Sequence, residues 1–166
     1  MQQLIAKLGK DFPDLDFQAG KDFCWSPKSR TIIYPKEVED TTIGGWSLLH
    51  EVAHALLDHS RYGSDFELLH LEAAAWDKAA ELAKTYGYVI LSDHVQDCLD
   101  TYRDWLHQRS TCPVCGTTSF QASARKYQCH NCHTSWTVTA SRFCRPYRRW
   151  QALKKPPETV SQATFS

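Results

Sequence analysis

Two Cys-x-x-Cys pairs, Cys112-Pro-Val-Cys115 and Cys129-His-Asn-Cys132, stand 13 residues apart. So short a stretch cannot build an apolar core of its own. It can build two tight turns, each offering two thiolates, and four thiolates make a closed tetrahedral zinc site. Gly116 eases the first turn. The metal would then largely fold the segment. The chain has seven cysteines; an odd number with four in pairs is a poor disulfide framework and suits a reduced compartment. His130 and His133 flank the second pair, but the four-cysteine set is complete without them. We expect a β zinc ribbon over residues 110–140 holding one structural zinc.

Charge divides the chain at the same place. Residues 1–109 hold 11 Lys and Arg against 18 Asp and Glu, a net of −7, whereas residues 110–166 hold 8 against 1, a net of +7. Such asymmetry argues for two parts with different roles. Beyond the ribbon, residues 141–166 form a basic aromatic segment and a flexible tail. Arg142, Arg145, Arg148 and Arg149 alternate there with Phe143, Tyr147 and Trp150. Cations interleaved with aromatic faces suit nucleic acid. They equally suit an acidic protein surface, including the acidic part of this chain. Cys144 reads as packed or idle. No internal repeat stands out. The sequence has no apolar run long enough to span a membrane, and its N-terminus lacks the apolar core of a signal peptide, so the expected location is cytoplasmic, with no membrane partner.

Residues 1–109 read as a mainly helical domain with a small β-hairpin. The first helix covers about residues 2–12 and stops near Pro13. Aromatic and β-branched residues on either side of Ser26-Pro27-Lys28-Ser29 predict a hairpin of about residues 16–25 and 30–34, with Cys24 in its first strand. A linker, KEVEDTTIGG, leads to a second helix in which Trp46, Leu49, Val52, Ala53, Leu56 and Leu57 follow the helical period. The third helix, 65–86, carries a capping-box pattern at Ser64 and Glu67 and a stop at Gly87. YVIL (88–91) reads as a short strand or a packed connector. The fourth helix, about 93–109, places Val95, Cys98, Leu99, Tyr102 and Leu106 on one face, which makes Cys98 core rather than ligand.

On the second helix lies HEVAH, residues 50–54. His50 and His54 are about 40° apart around a helix, so both imidazoles leave one face over a single turn. One ion can take a nitrogen from each. Glu51 lies about 100° round from His50, able to reach a water on the ion without being a ligand. The alternative is two helical histidines with unrelated partners. A metal needs a third ligand, and His59, Glu67, His70 and Glu72 are available. His59 points to the opposite side unless the chain turns. On the third helix Glu72 falls inside the stripe of Leu68, Leu69, Trp76, Ala79, Ala80 and Ala83, whereas His70 and Glu67 fall on the polar side. A buried carboxylate without a partner is costly, and a metal removes the cost; so, alternatively, would an arginine or histidine. Glu72 is therefore the expected third ligand and His70 the alternative. Zinc held so lowers the pKa of a water to about 7 and polarises a carbonyl. Glu51 then serves as the general base, and the chemistry is peptide hydrolysis. Tyr62, His70, His94 and Tyr102 are eligible to stabilise the oxyanion.

HEVAHALLDH followed by a helix bearing LEAAAW resembles the ImmA/IrrE group of small HExxH zinc metallopeptidases, which are gluzincin-like. The resemblance covers about residues 1–109. It implies a minimal zincin layout of a helix, a β-hairpin, the HExxH helix and a glutamate-bearing helix. It also implies protein substrates, often DNA-bound regulators, held along the hairpin's edge strand. A weaker resemblance is to SprT-like proteases, which join an HExxH domain to a zinc ribbon and act on DNA-bound proteins; their third ligand is a histidine followed by glycine, whereas His70 precedes Leu71. The expectation is an α+β intracellular zinc metalloendopeptidase with one catalytic and one structural zinc. The non-enzymatic alternative is a zinc-ribbon nucleic-acid-binding or adaptor protein on an HExxH scaffold. A small-molecule zinc hydrolase is a third class.

Overall fold

The structure, a computed structural model, describes residues 1–139 and the backbone of residues 148 and 149. Arg142, Cys144, Arg145, the side chains of Arg148 and Arg149, and the expected tail lie outside the described residues. The chain divides into two compact units, Met1–Asp104 and Trp105–Ser166. Its described elements are α1 (Gln2–Asp11), β1 (Asp16–Gly20), β2 (Cys24–Ser26), β3 (Thr31–Pro35), α2 (Thr41–Leu56), α3 (Asp65–Tyr86), α4 (Ser92–Ser110), β4 (Gln121–Ser123), β5 (Lys126–Gln128), β6 (Ser135–Val138) and β7 (Arg148–Arg149). Four helices with two small sheets make the architecture α+β, as expected. No helix among the described residues is long and apolar enough to cross a membrane.

In the first unit α2 is the spine. Ten of its 16 residues are buried, so it is enclosed on nearly every side, the position for which a largely apolar helix is suited. It starts inside the expected linker, at Thr41, because the Asp40 carboxylate accepts from the backbone N–H groups of Thr42 and Ile43 at 2.8 and 3.1 Å. Leu4 and Leu8 of α1, Trp25 and Ile32 of the sheet, Ala75, Trp76, Ala79 and Ala83 of α3, and Leu99 of α4 complete the core. The ends of α3 obey local chemistry. Ser64 Oγ accepts from Glu67 N at 3.1 Å, and Gly87 closes the helix at φ +76°. The other half of the capping box is displaced by one residue, for Glu67 Oε2 accepts from Gly63 N at 2.6 Å.

The expected hairpin is a three-stranded sheet of order β1-β3-β2. The segment read as one strand, 16–25, is two. β1 runs parallel to β3 and its last pair is Gly20 with Pro35, where proline has no N–H to extend the ladder. The chain then crosses to the other side of β3 and returns antiparallel as β2, pairing Trp25 with Ile32. β2 is thus an edge strand and carries Cys24. Residues 88–91 form a connector rather than a strand: Tyr88 and Ile90 pack on the core while Val89 and Leu91 are exposed. On α4 only Leu99 of the expected face is fully buried; Val95, Cys98, Tyr102 and Leu106 are half-buried.

The second unit begins within α4, ahead of the expected boundary at residue 109, because the last turn of that helix packs with the ribbon strands. Arg109, 2% exposed, lies over the Trp105 ring at 4.1 Å and donates to the Thr139 carbonyl, while its own carbonyl accepts from Trp136 Nε1. The sheet has the order β4-β5-β6-β7, and the core is small: Cys112, Tyr127, Cys129, Trp136 and Val138.

Candidate metal centres

α2 places His50 and His54 one turn apart, and α3 places Glu72 opposite them. His50 Nε2 lies 3.2 Å and His54 Nε2 3.4 Å from Glu72 Oε2, and the two Nε2 atoms are 3.1 Å apart. A tetrahedron with bonds of about 2 Å has corners about 3.3 Å apart, so three of its corners match this triangle. All three residues are buried, Glu72 at 3% exposure. Burial raises the Glu72 pKa, but hydrogen bonds and charge from His50 and His54 together outweigh it and hold the carboxyl well below the usual carboxylate range. The group therefore fits a metal such as zinc. The His50 ring stacks on Trp76, with centroids 4.1 Å apart and planes at 25°.

The other eligible residues lie elsewhere. His70 is exposed on α3, and Glu67 is spent on the helix cap. Because Asp58 takes a left-handed turn at φ +53°, His59 does come back to the site, though not to the triangle. Its Nδ1 lies 2.9 Å from His54 Nδ1, on the far side of that ring.

Glu51 is half-buried beside the triangle. Its Oε2 accepts from the backbone N–H of Trp25 at 2.7 Å, a donor on the edge strand β2. A cleft of about 260 Å³ opens here, lined by Phe23, Ser47, His50, Glu51, Glu72, Trp76, Cys98, Thr101 and Tyr102. Of the four residues eligible to stabilise an oxyanion, Tyr102 lines this cleft. His94 instead packs against Trp46, Trp76 and Cys98. Cys98 also borders the cleft, and burial pushes its thiol pKa up.

In the second unit the four paired cysteines converge, with Cys112 Sγ 3.6 Å from Cys132 Sγ and Cys115 Sγ 3.5 Å from Cys129 Sγ. Tetrahedral thiolates bound at about 2.3 Å stand about 3.8 Å apart, so this group also fits a metal such as zinc. The described cysteines form no disulfide. The two knuckles share one plan that their side chains conceal. Gly116 N bonds to Cys112 O and His133 N to Cys129 O, both at 3.0 Å. Cys112 N bonds to Thr117 O, and Cys129 N to Thr134 O. Thr117 Oγ1 lies 3.3 Å from Cys115 Sγ, and Thr134 Oγ1 3.2 Å from Cys132 Sγ. Hydrogen bonds from Thr117, its hydroxyl first, bring the Cys115 thiol down to about 5, whereas burial pushes Cys112 up to about 11. The Cys-x-x-Cys-x-Thr spacing was the available signal for these two threonines.

Gly116 and His133 occupy equivalent left-handed positions, at φ +73° and +59°. Only the first has the residue that favours it. Replacing His133 with valine, whose branched Cβ disfavours this conformation, is expected to lower ribbon stability by about 1–2 kcal/mol. Denaturant unfolding of the zinc-loaded chain measures the loss, and an unchanged midpoint refutes it.

Comparison with family models, with curated proteins and with solved structures returns no match.

Proposed function

We propose that this chain is a zinc-dependent peptidase of the ImmA/IrrE type that hydrolyses a protein substrate. The observation that carries the reading is the convergence of His50, His54 and Glu72 with Glu51 beside them in one cleft. A carboxylate next to the metal-binding group that is not part of it is suited to act as a base on a metal-bound water. Glu72 buried against the histidines, with His70 exposed, favours the gluzincin form over the SprT-like one.

Zinc bound by His50, His54 and Glu72 would supply Lewis acidity and an acidified water. Glu51 takes the proton from the attacking water through the oxygen not engaged by Trp25, then passes it to the leaving amine. The Trp25 N–H orients that carboxylate. Tyr102 lines the cleft, and its hydroxyl would be the donor to the developing oxyanion. Phe23 and Trp76 keep part of the wall apolar.

The second unit would bring the peptidase to an acidic partner, either nucleic acid or a protein bound to it. From Trp105 to Thr139 the chain has no Asp or Glu, while Arg125 and Lys126 are exposed. Phe120, 85% exposed, lies beside the His130 ring at 6.4 Å and offers an aromatic face.

The test is metal content and proteolysis on the same preparations. The native chain should hold two zinc ions and generate new N-termini in a peptide library. Glu72→Ala should hold one and generate none, its affinity at that site falling by more than a hundredfold, beyond the 10–100-fold typical of outer partners. His70→Ala should behave as the native chain. Zinc loss in His70→Ala rather than Glu72→Ala would move the chain to the SprT-like reading.

A further inference from the structure

HEVAH lies in the last two turns of α2, which ends at Leu56, yet the five residues after it return a third histidine to the site. Asp58, at φ +53°, reverses the chain after Leu57. His59 is then held from both sides of its backbone. Its N–H donates to the His54 carbonyl at 3.0 Å, and its carbonyl accepts from the Trp25 indole at 2.8 Å. This clamp sets the two rings with centroids 5.0 Å apart and their Nδ1 atoms 2.9 Å apart.

Two neutral imidazole nitrogens at hydrogen-bond distance share one proton, and which ring carries it decides what His54 offers on its other side. If His59 Nδ1 carries it, His54 has its proton on Nε2, aimed at His50 Nε2 and Glu72 Oε2, and no lone pair is left for a cation. If His54 Nδ1 carries it, His54 Nε2 presents its lone pair to the triangle. The partner histidine differs: His50 Nδ1 is buried with no hydrogen-bond partner among the described residues, and its ring is steadied by Trp76.

We infer that His59 is a positioning residue for the metal: it accepts the His54 Nδ1–H, fixes the tautomer that ligates, and raises the basicity of Nε2. The inference rests on the metal-centre reading above. Hydrogen-bond partners of this kind are typically worth 10–100-fold in metal affinity.

The experiment is zinc competition against a chromophoric chelator on the full chain, with the four-cysteine site as internal control. His59→Phe keeps a ring but no acceptor, and is expected to weaken the first site about 10–100-fold. His59→Asn can place an amide oxygen near the lost nitrogen and should recover most of that affinity. The ribbon site should not move in either variant. In the native zinc-loaded chain, nitrogen NMR should find His54 protonated at Nδ1 and His59 at Nε2, a readout independent of whether the variants fold well. Native-like affinity in His59→Phe, equal losses in Phe and Asn, or a proton on His59 Nδ1 would overturn the inference while leaving the metal centre standing. A native chain that binds one zinc, with the same affinity after Glu72→Ala, would overturn both.

Discussion

Replacing Glu51 with glutamine is expected to leave two metals bound and to lower peptide cleavage by about 10²–10⁴-fold or more, the range a positioned base contributes. The substitution suits the geometry. Glu51 Oε2 accepts from Trp25 N at 2.7 Å, and a glutamine carbonyl accepts the same bond, so the side chain has reason to stay where it is. Basicity is lost, because a carboxamide does not take a proton from water near neutral pH. Metal should be retained, since Glu51 is not part of the His50, His54 and Glu72 group that fits a metal. Metal analysis and single-turnover peptide cleavage on one preparation make the check. Cleavage at the native rate would eliminate Glu51 as base, and loss of the first metal would show that it ligates instead.

Replacing Cys129 with serine is expected to unfold the ribbon while the first unit keeps its own metal. Cys129 is fully buried, and among the described residues the ribbon's buried cluster holds four others: Cys112, Tyr127, Trp136 and Val138. So small an apolar cluster does not hold a segment of this length folded by itself. Structural zinc supplies about 10–16 kcal/mol of apparent binding free energy, and a hydroxyl is a poor substitute for a thiolate. Amide resonances of residues 111–139 should collapse toward unfolded positions, with one zinc remaining per chain. A ribbon that stays folded without its metal would show that packing, rather than the ion, holds it.

Much of the architecture was legible because its signals are local. Ser64 and Gly87 bound α3 through bonds to neighbours a few residues away, and the sequence marks both. Glu72 could be singled out because a carboxylate inside an apolar stripe needs a partner, and its partners proved to be the two histidines. The spacing of four cysteines carried their convergence for the same reason. The misreadings share a cause too. Asp40 starts α2 inside a segment read as linker, since one side chain accepting two backbone bonds outweighs the weak helix preference of Thr-Thr and Gly-Gly.

Residue order alone thus settles which side chains share a helical face and which donors a metal would find. What stands behind them depends on packing between distant segments. Trp25 reaches Glu51 across 26 positions and His59 across 34, and each contact depends on a chain reversal. One of those reversals is the break between β1 and β2 at the Gly20–Pro35 pair, and the other is the left-handed turn at Asp58. Periodicity describes neighbours along an element. It does not describe which backbone N–H a packed strand will present to a carboxylate, or which ring a turn will fold against the back of a ligand.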